Sequence, residues 1–456
     1  MQTANQSDKH GRHVLASGPL HVWLLAGVFV GTVGGEDWPQ WMGPNRDGVY
    51  AETGIVDTIP DKGLPVLWRQ PIAAGYAGPA VANQRVFVTD YLLTSGEPFN
   101  DPGRRATLEG EERIQCFDAA NGKLIWSRQY PCPYSISYPS GPRCTPTVDE
   151  DRVYCLGSEG DLLCLSVADG KVLWHRNFKT DFQAPVPLWG FSGHPLVEQD
   201  LVICTVGGPG QAVIAFDKLS GKVRWKGLDA SAAGYCPPAV VDAGGTRQLI
   251  IWHADAIVGM NPSEGSVYWS VDCKPSYDMS VTRPQQEGDL LYVSGIQQES
   301  VMLRLSSDQP TVTELWRGRR NQAVYCCNST PLLYGGAIYG TDCMQGSMIA
   351  VDSKTGERHW QTFSPTKPNE TRYVRHGTAF ITRMTANNRY LLFGETGELI
   401  IATMTPEAYR EHGRFQVVQP TSEAFGRDVV WSHPAYANKT AFVRNDQELV
   451  AVDLSK

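Results

Sequence analysis

Two adjacent thiols, Cys326 and Cys327 in the stretch YCCNSTP, are the sharpest chemical feature of this chain. Other reactive or ligand-binding types recur at matched places. Tyr76, Arg143, His194, Tyr235, Arg283, Asn328, His376 and His433 each stand one to three residues before a recurring anchor, usually a proline. Guanidinium groups grip carboxylates in bidentate fashion, and aromatic faces stack on flat molecules or cations. Brought together, these residues would suit a planar, multiply anionic ligand. The plainer alternative is a polar lining around water, with each Arg paired to a nearby Asp. Three histidines at matched positions also have the makings of a metal site. Loop histidines are more usually polar surface, and no metal is assigned.

The elements that would position these residues follow from a repeat. CFDAANGKLIW (116–126), CLSVADGKVLW (164–174), AFDKLSGKVRW (215–225), GMNPSEGSVYW (259–269) and AVDSKTGERHW (350–360) share one plan. An apolar segment runs into Asp or a polar substitute, a short turn reaches Gly, and a second segment ends in Trp. Asp accepts hydrogen bonds from turn N–H groups, and Gly takes a positive φ at low cost. Trp brings a large apolar surface to each repeat boundary. The anchors are Pro79, Pro146, Pro195, Pro238, Pro284, Pro331 and Pro434, with Ala379 as the eighth. Their spacing runs from 43 residues (Pro195 to Pro238) to 67 (Pro79 to Pro146). Each unit holds four strand-like segments; in the second these are about 146–149, 152–157, 161–166 and 171–175. Two units are degenerate, at 304–316 and 402–415. This is the signature of an all-β, eight-bladed β-propeller of four-stranded antiparallel blades. The chain stops at ELVAVDLSK, half a repeat, and the missing half stands near the front as GLPVLW (63–68). The N-terminal strand is therefore expected to close the ring.

Composition agrees. Of 456 residues, 42% are hydrophobic and 19% charged, and 45 Gly and 30 Pro are spread without low-complexity runs, as many short turns require. A net charge of −8 argues against a nucleic-acid partner, which would demand a basic face. Most of the eleven cysteines, including Cys116, Cys155, Cys164 and Cys204, sit in apolar runs and read as core. No CxxCH or CxxC pair is present, GGPG (207–210) lies between β segments rather than before a helix, and no GxSxG nucleophile elbow occurs. Residues 1–35 differ from the rest. Lys9 and Arg12 precede an apolar run from Val22 to Val33, followed by small residues. That length suits a signal peptide better than a membrane span, with an uncleaved anchor as the alternative. The expected organisation is a signal peptide at 1–35, an extension at 36–62 and the propeller at 63–456. The protein is read as exported, periplasmic or extracellular, with no stable membrane span after signal removal.

AVDSKTGERHW matches, at every defined position, the A-x-D-x-x-T-G-x-x-x-W tryptophan-docking motif. The sequence thereby resembles the quinoprotein alcohol dehydrogenases and their eight-bladed relatives, the pyrroloquinoline-quinone (PQQ)-like repeat proteins. DWPQWMGPNRDG (37–48) is similar to the start of exported bacterial members, and the likeness covers roughly residues 37 to 456. The family holds calcium- and quinone-dependent dehydrogenases and also an outer-membrane assembly scaffold without cofactor. In the dehydrogenases a vicinal disulfide lies over the quinone, just before a blade's inner strand, and Cys326–Cys327 resembles that placement. The expected cofactor site therefore joins the matched-position residues Tyr76, Arg143, His194, Tyr235, Arg283, Asn328, His376 and His433, for which PQQ is a ligand of the fitting kind, to Cys326 and Cys327, which the resemblance adds. The family's Asn-Arg-Gly continuation is replaced here by Asn328-Ser329-Thr330-Pro331, and no motif places the calcium ligands or the catalytic base; Asp255 and Asp278 approach the funnel by spacing alone. Two readings follow. One is a binding or scaffold module without an assured cofactor, taking an exported protein or polymer partner on the long-loop face and central funnel. The other is a PQQ- and calcium-dependent dehydrogenase oxidising an alcohol, sugar or polyol.

Overall fold

The turn that each repeat writes is a small hydrogen-bonded clasp. In the computed structural model, which describes residues 35–368 and 373–456, Asp352 shows its logic. Its Oδ1 accepts from the backbone N–H of Lys354 and of Thr355, both at 2.8 Å. Gly356 closes the turn at φ +74°. The neighbouring strand then ends in Trp360, whose indole N–H donates to the carbonyl of Thr405 in the following blade at 2.8 Å.

That last bond recurs around the ring. Trp68 donates to Ala119, Trp126 to Val167, Trp174 to Lys218, Trp225 to Pro262 and Trp316 to Ser353, at 2.9 to 3.1 Å. Each acceptor directly follows the Asp, or its substitute, of the next blade's turn. The turn glycines serve the same contact. A Cβ on Gly122 would lie 2.7 Å from Trp68, on Gly170 2.5 Å from Trp126 and on Gly221 2.7 Å from Trp174. So Gly is required both for its positive φ and because the preceding blade's indole lies flat against it. Trp269 departs from the rule and donates to Gln248 Oε1 within its own blade; the next turn is the degenerate one at 304–316, which has lost its Gly. Trp126→Phe should keep most of the packing and lose one buried hydrogen bond. The expected cost is about 1 kcal/mol, read from the midpoint of urea unfolding.

The strands form eight antiparallel blades. Seven follow the chain with innermost strands at Ala80–Ala82, Thr147–Asp149, Leu196–Glu198, Ala239–Ala243, Gln285–Glu287, Leu332–Tyr334 and Ala379–Met384. The second comprises Thr147–Asp149, Arg152–Leu156, Asp161–Ser166 and Val172–Asn177, close to the sequence expectation. The eighth combines Ala435–Ala437, Thr440–Arg444 and Glu448–Asp453 with Val66–Pro71 from the front of the chain. Trp68 there pairs with Ala451 and Arg69 with Val450, so the N-terminal strand closes the ring as expected. The core lies between blades, where aliphatic and aromatic side chains of neighbouring sheets interdigitate.

Several details differ from the sequence reading. Seven inner strands start one residue after the anchor proline, whereas the seventh blade starts at Ala379 itself. Its anchor is therefore Thr378. The segment 92–113 is mostly the extended ends of Arg85–Ser95 and Ala106–Asp118 rather than a separate loop. A short helix, Phe178–Phe182, interrupts 175–190, capped by Asn177 Oδ1 accepting from Thr180 N–H. Both degenerate units still form complete blades.

The extension after residue 35 runs across the ring. The carbonyl of Glu36 accepts from Asn438, Trp38 bridges Val81, the carbonyl of Pro39 accepts from Val148, and that of Gly48 from Arg383. Val49–Tyr50 pairs in parallel with the inner edge at Arg383 and Met384. The signal-peptide expectation for residues 1–35 falls almost wholly outside the described residues.

Candidate functional site

A funnel of about 1480 Å³ opens on the long-loop face. Its wall comes from the connections between blades and from the loops joining second to third strands, such as 207–210 and 296–297. The Asp–Gly turns lie on the opposite face. Trp41, from the extension, supplies the floor. It stacks on His194, with ring centroids 4.7 Å apart and planes 11° off parallel, and meets His433 edge-on at 5.4 Å.

Of the ten residues expected at the site, eight line this funnel: Tyr76, Arg143, His194, Tyr235, Cys327, Asn328, His376 and His433. Offset from the anchor sets their depth. Tyr76, Arg143, Tyr235 and Asn328, three residues before it, form the wall. His194 and His433, one residue before it, reach the floor against Trp41. Arg283 has the same offset but turns below. It is 6% exposed, its Nη1 donates to the carbonyl of Pro284 at 3.0 Å, and its charge is felt by Arg46 and Asp47 of the extension. Cys326 also lies outside the wall, packed with Tyr292, Met302, Ile338 and Ile349. Cys327 packs instead with Ile296, Tyr325 and Cys343. Successive residues of an extended chain face opposite ways, so the two thiols enter different clusters, and both are free. Burial raises both thiols above their ordinary range. Inert buried thiols are the consequence.

The electrostatics differ from a cationic ring. Arg143 is held by its own loop: it donates to the carbonyls of Gly141, Ser137 and Tyr138 and lies over the Tyr76 ring at 5.3 Å. His433 is lowered to about 3 by burial, and His376 to about 4 by burial and the nearby Arg427 and Arg375. His194, buried beside Arg46, is held well below its usual value, and its Nδ1 accepts from Thr145 N–H at 2.9 Å. All three rings are neutral near pH 7. They also do not converge. His376 stacks on Phe425 at 4.6 Å, away from the Trp41 floor. Among the described residues no three His, Cys, Asp or Glu side chains gather as metal ligands.

Depressed histidines have a pH signature. An unfolded histidine titrates near 6.5, so between that value and the folded one the unfolded chain binds the extra proton. Stability from this source is present above about pH 6.5 and is lost as pH falls toward 3. His433→Gln should therefore flatten the decline in unfolding free energy between pH 7 and pH 5 by about 1–2 kcal/mol. Parallel urea titrations of the two proteins at both pH values measure the difference.

Backbone strain collects around the same funnel. Tyr138, Tyr277, Asp278, Gln297, His376 and Phe425 line it with φ between +51° and +61°. Non-glycine residues rarely take this conformation, and such strain clusters at ligand sites. Tyr277 is held 71% exposed at the rim. Trp431 is fixed by its indole N–H donating to Glu395, which also receives a bidentate pair from Arg427. Asp229, Asp255 and Asp278 complete one side. Sequence reasoning found Asp255 and Asp278 but missed Trp41, Trp189, Phe425 and Trp431. Trp41 stands in DWPQWMGPNRDG, within the extension, where nothing local marks it as a floor.

The funnel does not fit PQQ with calcium. A planar polyanion requires several free cations, whereas Arg143 is held by its own carbonyls, Arg283 lies below and the imidazoles are neutral, so among the described lining residues only the exposed Arg375 is left. Among the described residues no group of carboxylates is assembled for the metal.

The family model described as "Outer membrane protein assembly factor BamB" matches residues 110–362, more than half of the chain. No curated protein sequence matches. Solved structures similar in fold include BamB from Moraxella catarrhalis, at 14% identity and TM-score 0.53, covering 85% of this chain and 98% of that one. The quinohemoprotein alcohol dehydrogenase from Comamonas testosteroni aligns at 14% identity and TM-score 0.54, covering 92% and 81%. A europium-containing methanol dehydrogenase aligns at 12% and 0.57, covering 92% and 89%. With the eight closed blades and the repeated Asp–Gly–Trp clasp, the family match leads to one conclusion: this chain belongs to the PQQ-like β-propeller family.

Proposed function

We propose that this protein is an exported binding module that holds a protein or polymer partner on its long-loop face and in its central funnel, without a quinone cofactor. The observation that carries this reading is the state of the funnel's charges. Arg143 is held by its own loop, leaving Arg375 as a lone exposed guanidinium, the histidines are neutral, and aromatic side chains such as Tyr277, Phe425 and Trp431 stand in the lining. Such a surface offers contact area and shape, not a site for a polyanionic cofactor. The description "assembly factor" in the matching family model supports a partner-binding role. Export rests on the apolar run from Val22 to Val33 behind Lys9 and Arg12.

The dehydrogenase reading draws on the fold of the quinoprotein neighbours, and fold alone does not carry function. A single titration separates the two. The purified chain is mixed with PQQ, with and without Ca²⁺, while tryptophan fluorescence is followed, and a redox dye with alcohols and sugars is then added. The expected result is no saturable quenching and no dye reduction. Saturable, calcium-dependent quenching with substrate-dependent dye reduction would overturn the proposal.

A further inference from the structure

From the same funnel we infer its ligand class: a neutral, polyhydroxylated chain, that is, an oligosaccharide segment of a glycan. The inference rests on the binding reading above and specifies what is bound.

Charge comes first. Asp229 accepts from Gly210 N–H at 2.5 Å. Asp255 accepts from the N–H and hydroxyl of Ser231 and lies 3.7 Å from Lys274. Both carboxylates are thus engaged by their own loops. Among the described residues, Asp278 and the exposed Arg375 have no hydrogen-bonded side-chain partner. A hydrogen bond does not remove a charge, and counted formally Asp229, Asp255 and Asp278 against Arg143 and Arg375 leave the lining close to balance, favouring neither a polyanion nor a polycation.

Backbone geometry comes next. No residue of the lining belongs to a strand. An extended peptide gains much of its affinity by adding to a sheet edge, and this wall presents none. Recognition proceeds without strand addition, through side chains and loop backbone. The side chains of the lining include aromatic plates together with the amides of Asn328 and Gln297, each with one polar atom already bonded, and the Asp278 carboxylate. The flat C–H face of a pyranose covers an aromatic ring, while its peripheral hydroxyls meet amides and carboxylates. The plates are also preorganised. Tyr277 and Phe425 are set by left-handed backbone, and Trp431 by its bond to Glu395. Rigid presentation lowers the entropic cost of binding. Finally, about 1480 Å³ exceeds the roughly 300–1,000 Å³ usual for small-molecule pockets, which points to several linked rings.

The test is affinity electrophoresis of the full chain in native gels containing laminarin, galactomannan or dextran (neutral), alginate (anionic) or chitosan (cationic). Two variants remove a ring while keeping a residue at ease with positive φ: Tyr277→Gly and Phe425→Gly. At least one neutral polysaccharide should retard the native protein, and each variant should weaken that retardation tenfold or more with an unchanged melting temperature. The proposal is overturned if no neutral polysaccharide retards the protein, if only alginate or chitosan does, or if both variants bind as the native chain. A peptide array probed with the same three proteins separates the two levels. Peptide binding that the variants abolish would sink the glycan and leave the funnel as a binding site. If the variants alter binding of neither a polysaccharide nor a peptide, the funnel reading falls as well.

Discussion

Replacing Arg46 by alanine is expected to lower the unfolding free energy by about 3–5 kcal/mol. Arg46 belongs to the extension that crosses the ring and is 2% exposed. Its guanidinium donates to the carbonyls of His194, Pro195 and Pro238, and its Nε to Gln40 Oε1 at 2.7 Å. One side chain thus ties the extension to the third and fourth blades at their inner strands. Burial and the neighbouring Arg283 lower its pKa to about 9, so the cation is under electrostatic strain and its hydrogen bonds must compensate. Truncation relieves that strain but leaves several buried carbonyls without donors and opens a cavity. Arg46→Met, which restores volume without donors, should recover only part of the loss. Urea unfolding of both variants measures it. A loss below about 1 kcal/mol for Arg46→Ala would mean that water takes over the carbonyls and that the extension is not a structural tie.

The second large effect is expected at Gly78. A Cβ there would stand 2.2 Å from the carbonyl oxygen of His433 and 3.1 Å from its carbon. Backbone meets backbone at this point, so no side-chain rotation relieves the clash. The contact joins the first blade to the eighth, where the ring closes. Gly78→Ala should cost about 3 kcal/mol or more and displace His433, and with it the Trp41 floor. Ligand binding in the funnel should weaken in the same variant. Gly103→Ala, at the funnel rim with its nearest contact at 3.7 Å, should stay within about 0.5 kcal/mol of the native protein. Thermal melts of the two variants provide the comparison. Equal melting points would remove the close approach at the seam as a determinant of closure.

Much of the fold is legible in the residues because the repeat is enforced locally. Asp, Gly and Trp recur at fixed spacing, each for a reason that acts within one turn or between adjacent blades. AVDSKTGERHW and its copies therefore specify the turn, the strand on each side and the indole contact, and seven copies, two of them degenerate, with half a motif at each end specify a closed ring of eight. Where the motif fails, as at 304–316, the blade survives on its apolar alternation, and only the Trp269 bond changes partner.

The candidate site is legible only in part, because its residues are placed by offsets, backbone conformation and a distant segment. Matched loop positions were enough to bring seven of eight residues to one funnel, with Cys327 beside them. They were not enough to separate His433, which reaches the floor, from Arg283, which turns beneath it at the same offset. Nor did the types of these residues reveal their charge. The three histidines are neutral because the ring buries them, and Arg143 is held because its own loop folds back onto it. The sequence by itself determined the blade, its number and its closure, since those rest on short-range hydrogen bonds and nearest-neighbour packing. Tertiary structure alone decided the floor made by Trp41, the separation of Cys326 from Cys327 and the near-neutral aromatic wall, since burial and long-range contact set all three.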